Sequence, residues 1–209
     1  MTQTGKFIVF EGIDGSGKST QIKRLFERLQ AENRDVVSTF EPSQGPVGSL
    51  IRKMLEGSVE TDQRTIAALF AADRTDHLVN RKNGVKGMVD QGRIVLCDRY
   101  YFSSYAYHSL YMGMDWVIGL NAQNEAIMRP DLNIFLDVDP ETCFERIKSG
   151  RNSFDMYEKI EIMKKVRDNY FLAFQKRGAR ENITVIDGNA SPEKVEQKIR
   201  QAVHGLLSE

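Results

Sequence analysis

A glycine-rich stretch near the amino terminus constrains the fold of this chain more than any other feature. Residues 12–20 read Gly-Ile-Asp-Gly-Ser-Gly-Lys-Ser-Thr and fit the GxxxxGK(S/T) pattern in full. The apolar run Phe7–Phe10 precedes this stretch, and an amphipathic pattern follows it. A strand before and a helix after are the context that a phosphate-binding loop requires. The stretch therefore predicts a polyphosphate site rather than a chance cluster of glycines.

The residue types in this phosphate loop (residues 12–20) explain how it would hold phosphate. Gly12, Gly15 and Gly17 allow positive φ angles, so backbone N–H groups can point at phosphate oxygens. The following helix adds its positive N-terminal end. Lys18 supplies a mobile charge for the β- and γ-phosphates, and the Ser19 hydroxyl suits Mg²⁺. We predict that ATP contacts the whole loop: Gly12, Ile13, Asp14, Gly15, Ser16, Gly17, Lys18, Ser19 and Thr20.

The bulk composition limits the size of the fold and its partners. The 209 residues suffice for one well-buried α/β domain and are few for two, so we expect a single domain over 1–209. Basic and acidic residues both number 29, and this balance favours small ligands over nucleic acid or anionic membranes. Cys97 and Cys143 fit no metal-ligand spacing, and no run of about 18 apolar residues occurs. We expect a cytoplasmic protein with two reduced thiols.

Apolar runs and helical patterns alternate along the chain. This alternation indicates parallel strands with helices on both faces. We therefore predict the three-layer α/β fold of P-loop NTPases, with a small lid at about 146–158. Residues 101–112 are rich in aromatic residues and serine, and no element is assigned to them. The five predicted strands are 7–10, 35–40, 93–97, 132–138 and 183–187.

Two acidic residues follow predicted strands directly. Glu41 comes after the second strand and Asp98 after the third. The carboxyl ends of parallel strands meet at the ligand-binding edge of an open α/β sheet. Because P-loop proteins place a carboxylate near Mg²⁺ at such a strand end, we predict a magnesium site at Ser19 and Asp98.

A phosphate loop alone occurs in switch GTPases, motors, transporter subunits and small-molecule kinases. One core sheet uses nearly the whole chain, which leaves little for a force-transmitting domain. No Asn-Lys-x-Asp segment, typical of guanine recognition in GTPases, follows a late strand. Arg146, Lys148 and Arg151 follow the fourth strand, where a lid would bring positive charge to a transferring phosphoryl group. These features favour a small-molecule kinase that uses ATP.

Four blocks of sequence resemble those of thymidylate kinase in identity, order and spacing, and the resemblance covers almost the whole chain. It implies transfer of the γ-phosphoryl group of ATP to dTMP with the help of Mg²⁺, a step in dTTP synthesis. It also implies a homodimer, for which we expect the helix around 66–89 to form the interface. The blocks are 11–20 (Glu-Gly-Ile-Asp-Gly-Ser-Gly-Lys-Ser-Thr), 69–74 (Leu-Phe-Ala-Ala-Asp-Arg), 98–107 (Asp-Arg-Tyr-Tyr-Phe-Ser-Ser-Tyr-Ala-Tyr) and 130–140 (Pro-Asp-Leu-Asn-Ile-Phe-Leu-Asp-Val-Asp-Pro).

The resemblance implies roles for residues around the acceptor nucleotide. Arg99 holds the acceptor phosphate by bidentate contact, and a structural ion pair with Asp98 is the alternative. Phe70 stacks on thymine, and Arg74, one helical turn later, hydrogen-bonds the base. Glu41 matches the family's carboxylate after the second strand.

Further positions complete the implied acceptor site. Tyr107 crowds the 2′ position of the sugar, and Ser104 faces the base. His108 stands where many family members have glutamine. Tyr157 lies near the nucleoside and Glu158 near the sugar or a metal, and complementing a helix dipole is an equal alternative for Glu158.

On the donor side, the resemblance implies that Arg146 stacks on the adenine and Arg151 reaches the transferring phosphoryl group. In some family members an arginine in the phosphate loop does the second task, but the matching residue here is Gly15. Asp14 is the acid of the loop and positions basic groups or the metal shell. We therefore expect catalysis to depend on Lys18, Arg99, Arg151 and Asp14.

Other functions stay open on the sequence alone. Another nucleoside monophosphate kinase or a deoxynucleoside kinase would share this fold. A deoxynucleoside kinase needs a base for its 5′-hydroxyl acceptor, and Glu41 or Asp98 are candidates. A non-catalytic ATP-binding module is the third possibility. The joint presence of four residues argues against it: Lys18, Ser19, Asp98 and Arg151.

Overall fold

The computed structural model describes residues 5–148 and 153–208. Within these residues the five strands are β1 Lys6–Glu11, β2 Val36–Phe40, β3 Ile94–Asp98, β4 Leu132–Asp137 and β5 Ile183–Asp187. The nine α-helices in the same residues are α1 Lys18–Ala31, α2 Pro46–Leu55, α3 Gln63–Val79, α4 Val85–Asp90, α5 Tyr101–His108, α6 Met114–Ile127, α7 Pro140–Ile147, α8 Ser153–Arg177 and α9 Pro192–Leu207. A short 3-10 turn, Gly178–Arg180, follows α8.

All strands belong to one parallel sheet with the order β2-β3-β1-β4-β5. The central strand β1 pairs with β3 on one side, where Phe7 lies opposite Val95, and with β4 on the other. The chain therefore leaves β1 between two strands that come later in the sequence. A crevice forms at such a switch point, and the phosphate loop lies in it.

The buried runs of the strands reflect helices on both faces of the sheet. In β1, Phe7 and Val9 join one hydrophobic core with residues of α3 to α8. Ile8 and Phe10 point the other way and pack in a second core with α1 and α9. Both faces of β1 are thus shielded from water, which is why its sequence is continuously apolar rather than alternating. This arrangement confirms the predicted three-layer α/β fold.

Side-chain caps mark the start of two helices. Asp62 accepts a hydrogen bond from the Arg64 N–H at 2.8 Å and caps α3. Ser191 caps α9 in the same way, with Pro192 at the first helical position. The stretch 66–89 is two helices, because the chain breaks between α3 and α4. Gly84 lies at this break, and a Cβ there would lie 2.6 Å from the Asn80 carbonyl oxygen.

Helix α5 is the element that the sequence did not predict. Its side chains are buried on nearly every side, so no polar stripe marks one face of the helix. Tyrosine, phenylalanine and serine also have only modest helix propensity. The helix is stabilised by packing against α6 and α8, with Phe102 and Phe174 rings 5.0 Å apart.

No helix in the described residues is both long and apolar enough to cross a membrane.

We expect Phe135→Ala to lower the free energy of unfolding by about 3–5 kcal/mol, because it opens a cavity in the core. Phe135 is 1% exposed, and its ring centroid lies 4.9 Å from that of Tyr170 and 5.2 Å from that of Phe174. Urea denaturation measures the change. Val185→Ala is the control, because Val185 is 49% exposed on the edge strand and its loss should stay near about 0.5 kcal/mol. Equal losses in the two variants would contradict this account of the core.

Candidate functional site

The phosphate loop has the backbone that its glycines predict. Gly12, Gly15 and Gly17 adopt φ angles of 145°, 80° and 95°, in the region that side chains disfavour. A Cβ on Gly12 would lie 2.9 Å from the Leu136 carbonyl oxygen, so the loop also packs too closely on β4 for a larger residue. Gly17 precedes α1 without a side-chain cap, which leaves the first N–H groups of that helix for a ligand.

Lys18 lies at the centre of the loop and is 6% exposed. Its Nζ donates hydrogen bonds to the carbonyl oxygens of Gly12 at 3.0 Å and Ile13 at 3.2 Å. Burial, followed by the nearby charge of Arg99, lowers the pKa of Lys18 to about 8. A bound polyphosphate would supply negative charge at this point and favour the protonated amine.

Ser19 and Asp98 meet across the loop, as the sequence predicts. The Ser19 hydroxyl donates to Asp98 Oδ2 at 3.0 Å, and Asp98 Oδ1 is buried with no hydrogen-bond partner among the described residues. An orphaned carboxylate oxygen beside a hydroxyl fits the hard oxygen ligands that Mg²⁺ prefers. No cluster of three or more His, Cys, Asp or Glu forms in residues 5–148 and 153–208.

Arg99 lies beside the phosphate loop in a constrained conformation. Its φ angle is 74°, and its side chain is 18% exposed. Nη2 donates to Asp14 Oδ1 at 2.6 Å and to the Tyr107 hydroxyl at 3.2 Å, while Nη1 donates to Ser103 Oγ at 3.1 Å. The guanidinium also covers the Tyr107 ring, 4.8 Å from its centroid. The ion pair of Arg99 is thus with Asp14, and the alternative pairing with Asp98 does not form in the described residues.

Arg146 connects the phosphate loop to the end of β5. Nη1 donates to the Gly15 carbonyl oxygen at 3.4 Å and Nη2 to the Gly188 carbonyl oxygen at 3.2 Å. A Cβ on Gly15 would lie 2.5 Å from the Cys143 carbonyl oxygen in α7. The loop therefore has no room for a side chain at position 15. A cleft of about 920 Å³ extends from this region past Asp98 and Arg99 to the end of β2.

Arg74 is 1% exposed and almost saturated with hydrogen-bond acceptors. Nε donates to Glu41 Oε2 at 2.7 Å, and Nη2 lies 2.6 Å from the same oxygen. Nη1 donates to Ser104 Oγ at 3.1 Å and to Asn121 Oδ1. A guanidinium has five N–H groups. These contacts use one on Nε, two on Nη1 and one on Nη2, so one N–H of Nη2 has no partner among the residues that the structure describes.

Glu41 is buried between two basic side chains. Its Oε2 faces Arg74, and its Oε1 lies 3.1 Å from His77 Nδ1. The other ring nitrogen of His77 lies 2.7 Å from Thr39 Oγ1. Both carboxylate oxygens therefore have partners within the protein. The structure places Glu41 behind Arg74 rather than facing the cleft with both oxygens.

The predicted base-binding residues Phe70 and His108 lie together. Their ring centroids are 5.0 Å apart, with the planes inclined by 60°. His108 is 7% exposed, and burial, with a smaller effect of the Arg74 charge, lowers its pKa to about 4. The imidazole is therefore neutral near pH 7. Helices α3 and α5 bring these rings and Arg74 to one wall of the site.

Three residues of the site were given no individual role by the sequence. Asn121 and Ser103 accept hydrogen bonds from the two arginines, and Asp73 accepts two from Ser43 in the loop before α2. Asn121 and Asp73 are 30 or more residues from their partners, so only the folded chain brings them together. Arg151 lies outside the described residues, as does the Tyr157 side chain. Glu158 lies in α8 and is exposed.

We expect the His108 ring to titrate near pH 4 in the folded protein, against 6.5 for an ordinary histidine. The unfolded chain binds this proton at the higher pH, so the free energy of unfolding should fall as the pH drops from 6.5 towards 4. NMR of the ring protons measures the pKa, with His108→Gln as the variant that assigns the signal and removes this part of the pH dependence. A midpoint near pH 6.5 would contradict the buried, neutral imidazole.

Comparison with known proteins agrees with this geometry. The sequence model of the thymidylate kinase family matches residues 10–199. A thymidylate kinase of Caldicellulosiruptor saccharolyticus is 38% identical over 207 residues, covering 97% of this chain and 98% of that protein. A probable thymidylate kinase of Methanocaldococcus jannaschii is 43% identical over 164 residues, covering 78% and 79%. The thymidylate kinase of Oceanobacillus iheyensis is 35% identical over 211 residues, covering 98% and 92%. The chain belongs to the thymidylate kinase family.

Proposed function

We propose that this chain transfers the γ-phosphoryl group of ATP to dTMP, giving dTDP and ADP, a step in the synthesis of dTTP. The observation that carries the proposal is the position of Arg99, which contacts Asp14 of the phosphate loop at 2.6 Å while α5 joins it to the wall of Phe70, Arg74 and His108. In this proposal Arg99 is the cationic group for the acceptor phosphate, with the phosphate loop on one side and the rings of Phe70 and His108 on the other.

The acceptor of this reaction needs no general base. The second pKa of a phosphate monoester is about 6, so dTMP is mostly a dianion at neutral pH. The protein has to bring two polyanions into line and to neutralise the charge between them. Glu41 has both oxygens occupied by Arg74 and His77, which leaves it poorly suited to remove a proton from a hydroxyl acceptor. This favours a nucleotide acceptor over thymidine.

On the donor side, the phosphate loop from Gly12 to Thr20 wraps the polyphosphate of ATP. Lys18 leaves the loop carbonyls that it contacts now and binds the β- and γ-phosphates. Arg146 stacks on the adenine at the gap between Gly15 and Gly188. Ser19 and Asp98 would hold Mg²⁺, which would neutralise negative charge on the phosphates.

On the acceptor side, Arg99 binds the dTMP phosphate as Asp14 gives up part of its ion pair. Phe70 stacks on thymine, and the remaining N–H of Arg74 bonds to the base. Ser104 orients Arg74, and Tyr107 packs beside the deoxyribose. His108 closes the base site as a neutral ring. As the family resemblance implies, Tyr157 lies near the nucleoside and Glu158 lies near the sugar or a metal.

Three properties of the whole molecule belong to the same proposal. Residues 1–209 form one domain with a lid at about 146–158. The active form is a homodimer, and the exposed apolar residues Leu50, Leu55 and Val79 of α2 and α3 are the surface that supports it. The protein works in the cytoplasm, in keeping with its two free, buried cysteines.

ADP release from MgATP tests the acceptor directly, with dTMP, dUMP, thymidine, AMP and CMP each offered alone. We expect dTMP to dominate and thymidine to be inert. Discrimination against dUMP should be about 10–200-fold, because one methyl group in an apolar pocket contributes only about 1–3 kcal/mol. Turnover of dTMP no better than that of AMP or CMP would overturn the proposal, and phosphorylation of thymidine would point to a deoxynucleoside kinase.

A second test concerns the arginine that stabilises the transferring group. Position 15 has no room for a side chain, so Arg151 should carry this charge, and Arg151→Ala should lower kcat by about 10³–10⁵. Arg180→Ala, an exposed arginine in the turn after α8, is the matched control and should leave kcat unchanged. A loss below about tenfold in Arg151→Ala would assign the role to Arg146 or Lys148 instead.

A further inference from the structure

The last residue of β1, Glu11, is a buried carboxylate that the predicted site does not include. Glu11 is 0% exposed and immediately precedes the phosphate loop. Oε1 accepts hydrogen bonds from the backbone N–H groups of Tyr100 at 2.9 Å and Ser103 at 3.2 Å. Oε2 accepts from the hydroxyls of Ser103 at 2.5 Å and Tyr170 at 2.9 Å. Burial raises the pKa of Glu11, while these bonds and the charge of Arg99 oppose the rise.

These hydrogen bonds fix the chain directly after Arg99, at the start of α5. Helix α5 has no side-chain cap of its own, and Glu11 supplies the missing acceptor for N–H groups at its start. Arg99 lies two residues before the first residue of this helix, and its strained φ angle of 74° persists only because the surrounding structure holds it. The Glu11 carboxylate therefore holds the turn that presents Arg99 to the cleft.

Ser103 and Tyr170, which both contact Glu11, also constrain the Arg99 side chain. Ser103 Oγ accepts from Arg99 Nη1 at 3.1 Å while it donates to Glu11. The Tyr170 hydroxyl lies 2.8 Å from Ser103 Oγ and so restricts the direction of that serine. The guanidinium contact with Asp14 faces the cleft, where an acceptor phosphate would compete for it. We expect the contact with Ser103 to stay in place when the ligand binds.

We propose that Glu11, Ser103 and Tyr170 are positioning residues that set the Arg99 guanidinium for the acceptor phosphate. This inference rests on the proposed function, in which Arg99 binds the phosphate of dTMP. Tyr170 belongs to α8, more than 60 residues from Ser103 in the sequence. The acceptor arginine thus depends on three separate elements, β1, α5 and α8, that meet only in the folded chain.

Tyr170→Phe removes one hydroxyl and leaves the ring in place. We expect it to weaken dTMP binding by about tenfold in calorimetry, because Ser103 and Arg99 lose their fixed geometry. Binding of thymidine, which has no phosphate, and the KM for ATP should each change by less than about twofold. Tyr101→Phe is the matched control. It also loses a hydroxyl bonded to a buried glutamate, Glu181 at 2.7 Å, and should lose similar thermal stability without changing dTMP binding.

The decisive comparison repeats Tyr170→Phe in an Arg99→Ala background. If Tyr170 acts through Arg99, the added loss of dTMP affinity should shrink to below about twofold there. An equal loss in both backgrounds, or an equal loss of thymidine and dTMP affinity, would overturn the inference while leaving the proposed function intact. Wild-type protein that binds no dTMP would overturn the proposed function together with it.

Discussion

The hydrogen bonds at the end of the central strand connect the two halves of this site. Glu11 lies directly before the phosphate loop and accepts four hydrogen bonds, from Tyr100 just before α5, from Ser103 in α5 and from Tyr170 in α8. A buried carboxylate without such donors would cost several kcal/mol, so strand, loop and helices have to be placed together. The position of the loop relative to Arg99 follows from this constraint.

The second constraint is charge. A site for two polyanions needs fixed positive groups, yet buried guanidinium groups are unfavourable without partners. Arg74 meets this requirement with Glu41, Ser104 and Asn121, and its contacts hold it rigidly. Arg99 pairs with Asp14, whose side chain is 63% exposed, so a phosphate can compete for that arginine. Arg74 is thus fixed by its partners within the protein, whereas Arg99 can exchange its contact with Asp14 for a ligand.

Most of the fold could be predicted because the strands and the phosphate loop have local sequence patterns. Continuous apolar runs identified the central strands because β1, β3 and β4 are covered on both faces, and the glycines of the phosphate loop have the positive φ angles that their spacing indicates. Burial also explains why helix α5 was missed. It is buried on nearly all sides, so its sequence has no periodicity to read, and its stability comes from contacts with α6 and α8.

The sequence by itself determined the strand, loop and helix of the phosphate site. It also determined that the carboxylate Asp98 lies at the carboxyl end of a strand. These features depend on residues that are close together in the chain. Only the tertiary structure decided which acidic residue pairs with which arginine. It paired Arg99 with Asp14 rather than the adjacent Asp98, and it turned Glu41 towards Arg74 and His77. Such pairings depend on distances between side chains from different elements, and those distances exist only after the elements have packed.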